Sequence, residues 1–184
     1  MPKIDDQRLV SPQCLTLNPV ETFHKNPWFS VIKRGKYYTV ESTQQTIILP
    51  TLENASVIMV KQLRPVINDF TLELPAGAIN KNEDPVLGAR RELSEETGIH
   101  IEDINRFKPL PPISNSPNRN PCLLYIFHID IMQSEFDLRK SHDHEISSVE
   151  LYSYLEIIEK LTSGEIYVSV PMAIIGRYLL KRKS

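Results

Sequence analysis

The rhythm of apolar positions changes several times along the chain. From Trp28 onward, FSVIKR (29–34), YYTVES (37–42), TIILP (46–50) and ASVIMVKQL (55–63) are rich in β-branched and aromatic residues. Each ends at a glycine, proline, asparagine or charge cluster, and the pattern predicts four strands in antiparallel hairpins. In residues 85–97 the spacing lengthens, with Val86, Ala89, Leu93 and Thr97 at helical intervals. Asp84 is placed to cap that helix, Pro85 suits its first position and Gly98 its end. The unbroken apolar run CLLYIFHIDI (122–131) predicts a buried strand, and VELYS (149–153) a shorter one. Two further helices are predicted, over 154–161 and 172–180, the second after Pro171. Residues 1–27, with prolines at 2, 12, 19 and 27, read as an irregular arm holding at most one short strand. Prolines 109, 111, 112, 117 and 121 mark a stiff loop. Strands outnumber helices without βαβ alternation, which predicts an α+β fold with helices packed on a mixed sheet.

Composition narrows the function classes. The 184 residues are 41% hydrophobic and 24% charged, ordinary for one globular domain. A net charge of −2 provides no positive field for a polyanion, so nucleic acid is not the expected partner. Two cysteines, Cys14 and Cys122, lie far apart without metal-binding spacing, which suits a reducing compartment. No stretch approaches the roughly 20 apolar residues needed to span a bilayer, and MPKIDDQRLV lacks a secretory apolar centre. The expectation is a cytoplasmic protein that does not engage a membrane.

The helix over 85–97 carries the candidate chemistry. Glu92, Glu95 and Glu96 stand at i, i+3 and i+4, so three carboxylates share one face about 5–6 Å apart. Like charges at that range repel by about 1–3 kcal/mol per pair. Arg91, four residues before Glu95, can offset one charge, but Glu92 and Glu96 remain opposed unless a cation sits between them. Oxygen ligands select a hard ion, Mg²⁺ or Mn²⁺. A single glutamate pair on a helix is ordinarily a solvated face. The longer run is more specific.

Gly77, Glu83, Arg91, Glu92, Glu95, Glu96 and Gly98, with Leu93 and Ile99, resemble the Nudix box GX5EX7REUXEEXGU (U aliphatic) at every position. The resemblance implies an α/β/α sandwich around a central mixed sheet, and metal-dependent cleavage of a nucleoside diphosphate linked to another group. It implies Glu92, Glu95 and Glu96 as metal ligands, with the Ala76 carbonyl as a further ligand. Glu92 and Glu95 are also candidates for the catalytic base. Arg91 and Glu83 become residues that orient the carboxylates, and Gly77 and Gly98 backbone positions.

Upstream, VKQLRP (60–65) and TLELPAG (71–77) are similar to segments of the ADP-ribose and nucleoside-diphosphate-sugar pyrophosphatases. That branch implies Arg64 and Glu73 in the substrate pocket, where a planar guanidinium can clamp phosphate; the plain alternative for Arg64 is a strand-end ion pair. Pro117 in ISNSPNRNP corresponds to a proline that shapes the sugar wall, although neighbouring prolines fit the spacing as well. Glu145 in HDHEI matches a late-loop glutamate supplying a base or another metal contact, while His142 and His144 read as solvated. Trp28 is a candidate to stack on adenine, with core packing the alternative.

Residues 1–50 are expected to form the arm and strands of a homodimer interface, and 51–184 the Nudix hydrolase domain. The expected function is hydrolysis of the pyrophosphate of ADP-ribose or a related nucleotide sugar. Another nucleoside diphosphate derivative, such as a dinucleoside polyphosphate or a coenzyme, is an alternative substrate. The alternative function from another class is a sensor that binds a nucleotide sugar without cleaving it.

Overall fold

The computed structural model describes residues 2–10 and 13–182. A short helix α1 (Gln7–Val10) and a 3-10 turn (Gln13–Thr16) lead into β1 (Val20–Lys25), β2 (Phe29–Arg34) and β3 (Tyr37–Ser42). These three strands form an antiparallel sheet of their own, in the order β1-β2-β3. Both strands predicted here keep their sequence bounds, and β1 is the single strand allowed for in the arm.

A seven-stranded mixed sheet follows. It contains β4 (Gln45–Leu52), β5 (Ser56–Arg64), β6 (Asp69–Glu73), β7 (Ala76–Ala78), β8 (Lys108–Ser114), β9 (Leu123–Ile131) and β10 (Ile146–Ser153). Its main path is β10-β5-β4-β9-β8, with β6 on β5 and β7 on β4. Only the β4–β9 pair is parallel among the pairings described. The central strands read as unbroken apolar runs because both of their faces are covered. Ile48 and Ile58 face one core with Leu93 and Val86 of α2 (Pro85–Thr97) and Phe136 of α3 (Gln133–Asp137). Ile47, Leu49, Val57 and Met59 face the other, against Ile157 of α4 (Tyr154–Ser163) and Ile174, Ile175 and Leu179 of α5 (Ser169–Arg182). The α/β/α sandwich expected from the sequence is therefore the fold. No helix among the described residues is long and apolar enough to cross a membrane.

Local chemistry sets the element that matters most. Asp84 accepts a hydrogen bond from the Val86 N–H at 2.9 Å, Pro85 opens the first turn, and Gly98 closes α2 at φ 72°. The prolines misled in one place. Lys108–Ser114, read as loop, is strand β8, despite Pro109, Pro111 and Pro112. It is the end strand of the sheet path and shifts register between Leu110 and Ile113. An edge with a bulge is where a strand tolerates residues lacking an N–H donor.

Candidate active site

Three segments approach the α2 carboxylates: the ends of β5 and β6, with Arg64 and Glu73, the β6–β7 turn, and the loop preceding β10. Helix α2 presents Glu92 buried, Glu96 half-buried and Glu95 exposed. Arg91 binds more of its neighbours than the single i+4 partner expected. Its Nη1 donates to Glu92 Oε1 at 2.6 Å and to Glu95 Oε2 at 3.0 Å. Its Nε and Nη2 grip both oxygens of Glu83 at 3.0 Å, and Nη2 also donates to the Ala78 carbonyl at 2.8 Å. The Asn80 N–H holds Glu83 in turn at 2.8 Å. Arg91 thus ties the helix to the turn before it.

Glu96 has a different environment. One oxygen accepts the Ala76 N–H at 3.1 Å. Burial, then repulsion from Glu92 and Glu73, pushes its carboxyl up to about 8 against the opposing pull of that N–H and of Arg64. Glu92 is also raised, first by burial and then by Glu95 and Glu83, although Arg91 works against both. Among the described residues no three His, Cys, Asp or Glu side chains converge as a metal set. Arg91 bridges Glu92 and Glu95, while Glu96 turns toward Ala76.

Both glycines of the motif have identifiable work. A Cβ on Gly77 in β7 would sit 2.1–2.2 Å from the Glu92 carboxylate, so a side chain there would displace that carboxylate. Gly98 takes a left-handed φ, and a Cβ there would meet the Lys140 carbonyl oxygen at 2.0 Å. Lys140 in fact donates its N–H to the Gly98 carbonyl at 2.9 Å, and the Asp143 N–H donates to the Glu95 carbonyl at 2.8 Å. The loop bearing Glu145 is thereby docked on the C-terminal turn of α2. Glu145 itself is exposed.

Arg64, at the end of β5, makes a two-pronged pair with Glu73 at 2.7 and 2.9 Å, and Thr71 Oγ1 donates to Glu73 at 2.7 Å. The Glu73 hydrogen bonds raise the guanidinium's pKa, and the charges of Glu96 and Glu145 add to the effect. Arg64 therefore lies within the electrostatic reach of the carboxylate site from two sides. Arg64, Glu73, Ala76 and Gly77 share a cavity of about 280 Å³ with Gln45, Asn115 and Ser169. Sequence reasoning missed these last three, since they come from remote segments and carry no motif.

Two residues expected in the substrate site lie elsewhere. Pro117 lines a separate cavity of about 440 Å³, with Cys14, Tyr37 and Arg119. Trp28 is 77% exposed on the β1–β2 turn, where Asn26 Oδ1 accepts the Trp28 and Phe29 N–H groups at 2.9 and 2.8 Å. Core packing of Trp28 is thus overturned. His144 is exposed and contacts Asp143 at 2.6 Å, consistent with the solvated reading, while His142 is half-buried.

The site is thus an acidic helix clamped to the mixed sheet of an α/β/α sandwich, with a strand-end arginine nearby. The chain belongs to the Nudix family: a NUDIX domain model matches residues 42–169. An ADP-ribose pyrophosphatase of Bacillus subtilis is 23% identical over 170 residues, covering 91% of this chain and 89% of that protein. A mouse ADP-sugar pyrophosphatase is 35% identical over 46% of this chain and 38% of its own length. An ADP-ribose pyrophosphatase of Saccharomyces cerevisiae is 31% identical over 57% of this chain and 47% of its own. The chain thus spans less than half of the mouse and yeast relatives.

Proposed function

We propose that the protein is a divalent-metal-dependent pyrophosphatase of ADP-ribose or a closely related nucleoside diphosphate sugar, releasing a nucleoside monophosphate and a sugar phosphate. The observation that carries this reading is the placement of Arg64 within reach of the charge of Glu96, in the lining of a cavity of about 280 Å³ that Ala76 and Gly77 also line. The names of the three relatives support the substrate class.

The oxygen donors suit a hard cation by their chemistry, although Glu92, Glu95 and Glu96 do not converge as a set and would have to turn toward the ion. Glu92 and Glu96 are carboxylates whose charged forms are disfavoured by burial, and a divalent ion would reverse that penalty. Glu92 and Glu96, with Glu95 and the Ala76 carbonyl, would hold Mg²⁺ or Mn²⁺. Such an ion, when bound, would neutralise phosphate charge and lower the pKa of bound water. Arg64 clamps a phosphate oxygen pair through its planar fork, exchanging part of its contact with Glu73. Glu145 accepts a proton from the attacking water, and Arg91 with Glu83 keeps Glu92 and Glu95 in place. The protein works in the cytoplasm as a homodimer, joined through residues 1–50, while 51–184 form the hydrolase domain. Trp28 and Pro117 meet the nucleotide from the partner side of that dimer.

The test is a panel of nucleoside diphosphate compounds incubated with Mg²⁺ or Mn²⁺, with products weighed by mass spectrometry. ADP-ribose is expected to yield AMP and ribose 5-phosphate, with turnover nearly abolished by Glu96→Gln or excess EDTA. Undiminished turnover in EDTA would remove the metal from the reading, and no cleavage of any nucleotide sugar would remove the activity.

A further inference from the structure

The loop between α3 and β10 is mostly exposed, with Asp143, His144 and Glu145 all open to solvent. Burial therefore fixes none of these three side chains. Whatever places Glu145 must come from hydrogen bonds along the loop.

Asp143 is the hub of those bonds. Its N–H donates to the Glu95 carbonyl at 2.8 Å, while its own carbonyl accepts the Ile146 N–H at 3.2 Å and lies 2.9 Å from His142 Nδ1. Its carboxylate turns the other way along the chain. Oδ1 accepts the Glu145 N–H at 3.2 Å and lies 2.6 Å from His144 Nδ1. The backbone of Asp143 thus fastens the loop to the last turn of α2, and its side chain folds the next two residues back over that anchor.

Strand β10 sets the other end of the segment. Ile146 stands opposite Gln62 of β5, and Ser148 opposite Lys61, so β10 carries one extra residue, Ser147, between them. A bulge of this kind bends its strand and re-aims the side chains beside it. Gln62 is two residues from Arg64, so Glu145 leaves β10 beside the Arg64 end of β5, and its charge acts on the guanidinium there. Among the described residues the Glu145 carboxylate makes no hydrogen bond of its own, so the backbone that carries it decides where it can reach.

We propose that Asp143 is a positioning residue: its carboxylate holds the Glu145 backbone so that the Glu145 side chain is presented toward Arg64 and the α2 carboxylates. This role deepens the pyrophosphatase reading and rests on Glu145 as the group that takes the proton from water. Asp143 touches neither substrate nor metal in it. Acting only through Glu145 distinguishes Asp143 from a residue that merely keeps the loop folded.

Steady-state hydrolysis of ADP-ribose by the full-length protein in saturating Mg²⁺ tests this as a double-mutant cycle. Asp143→Ala should lower kcat about tenfold, the effect of one net hydrogen bond lost, and leave KM unchanged. Asp143→Asn should recover most of that rate, since an amide oxygen still accepts the Glu145 N–H. In a Glu145→Gln background, Asp143→Ala should cost nothing further, because the group it orients is already disabled. Amide exchange followed by NMR needs no turnover, and at Glu145 it should be faster in Asp143→Ala than in wild type or Asp143→Asn. Unchanged kcat in Asp143→Ala, equal losses in the Ala and Asn variants, additive losses in the cycle, or unchanged exchange at Glu145 each overturn the positioning role and leave the pyrophosphatase standing. A wild type that cleaves no nucleotide sugar removes the activity, and the positioning role with it.

Discussion

At the scale of single residues, Arg91 and Glu96 carry the sharpest expectations. Arg91 joins Glu83, Glu92, Glu95 and the Ala78 carbonyl, so Arg91→Ala leaves three carboxylates without their shared cation. The loss of such a supporting partner should weaken Mn²⁺ binding about 10- to 100-fold, measurable by titration. Binding at wild-type strength would show that Arg91 does not organise the ligands. Glu96 makes a prediction about pH in metal-free protein. Its folded pKa is raised from 4.5 to about 8, so the folded state keeps a proton that the unfolded chain releases. That contribution to stability is complete below 4.5 and is lost as pH rises through about 8. The melting temperature of metal-free wild type should therefore fall against that of Glu96→Gln by several degrees across this range. Parallel curves for the two proteins would contradict the burial argument. Saturating Mg²⁺ should invert the order, because only the carboxylate gains from the ion.

At the scale of elements, legibility followed local determination. Helix α2 was readable to the residue because Asp84, Pro85 and Gly98 each do their conformational task next to a helical apolar stripe. Strands β2 and β3 were readable for the same local reason. Strands β6 and β7 were not, being five and three residues long and defined by pairing with β5 and β4 rather than by their own pattern. Strand β8 was hidden by prolines whose missing N–H groups are harmless only at an edge, a fact of tertiary position. The loop before β10 shows an electrostatic consequence of such placement. Two backbone hydrogen bonds dock it on the end of α2, which brings the charge of Glu145 to bear on Arg64. If Glu145 takes the proton from water, Glu145→Gln should lower kcat by about 10²–10⁴ with little change in substrate affinity. An unaltered kcat would transfer the base role to Glu92, Glu95 or Asp143.

At the scale of the whole molecule, the motif could locate the carboxylates but not the cavity beside them. Gln45, Asn115 and Ser169 stand far apart in sequence, and only the packing of α5 against β8 and the central sheet brings them together. The same scale governs the three-stranded sheet, whose Phe23, Trp28, Tyr38 and Val40 are 40–77% exposed. Burying those side chains against a second copy would remove their apolar area from water, at about 25 cal/mol per Å². Phe23→Ser with Tyr38→Ser should therefore halve the mass seen by sedimentation at micromolar protein while leaving the seven-stranded sheet folded. Trp28 is the sole tryptophan and remains in that variant, so indole fluorescence reports on one position. If the base meets Trp28 only when a partner supplies the rest of the site, AMP should quench the emission of the wild type and not that of the variant. A wild-type protein that sediments as a monomer, or indole emission indifferent to saturating AMP, would restrict the nucleotide site to a single protomer and leave Trp28 without a role in it.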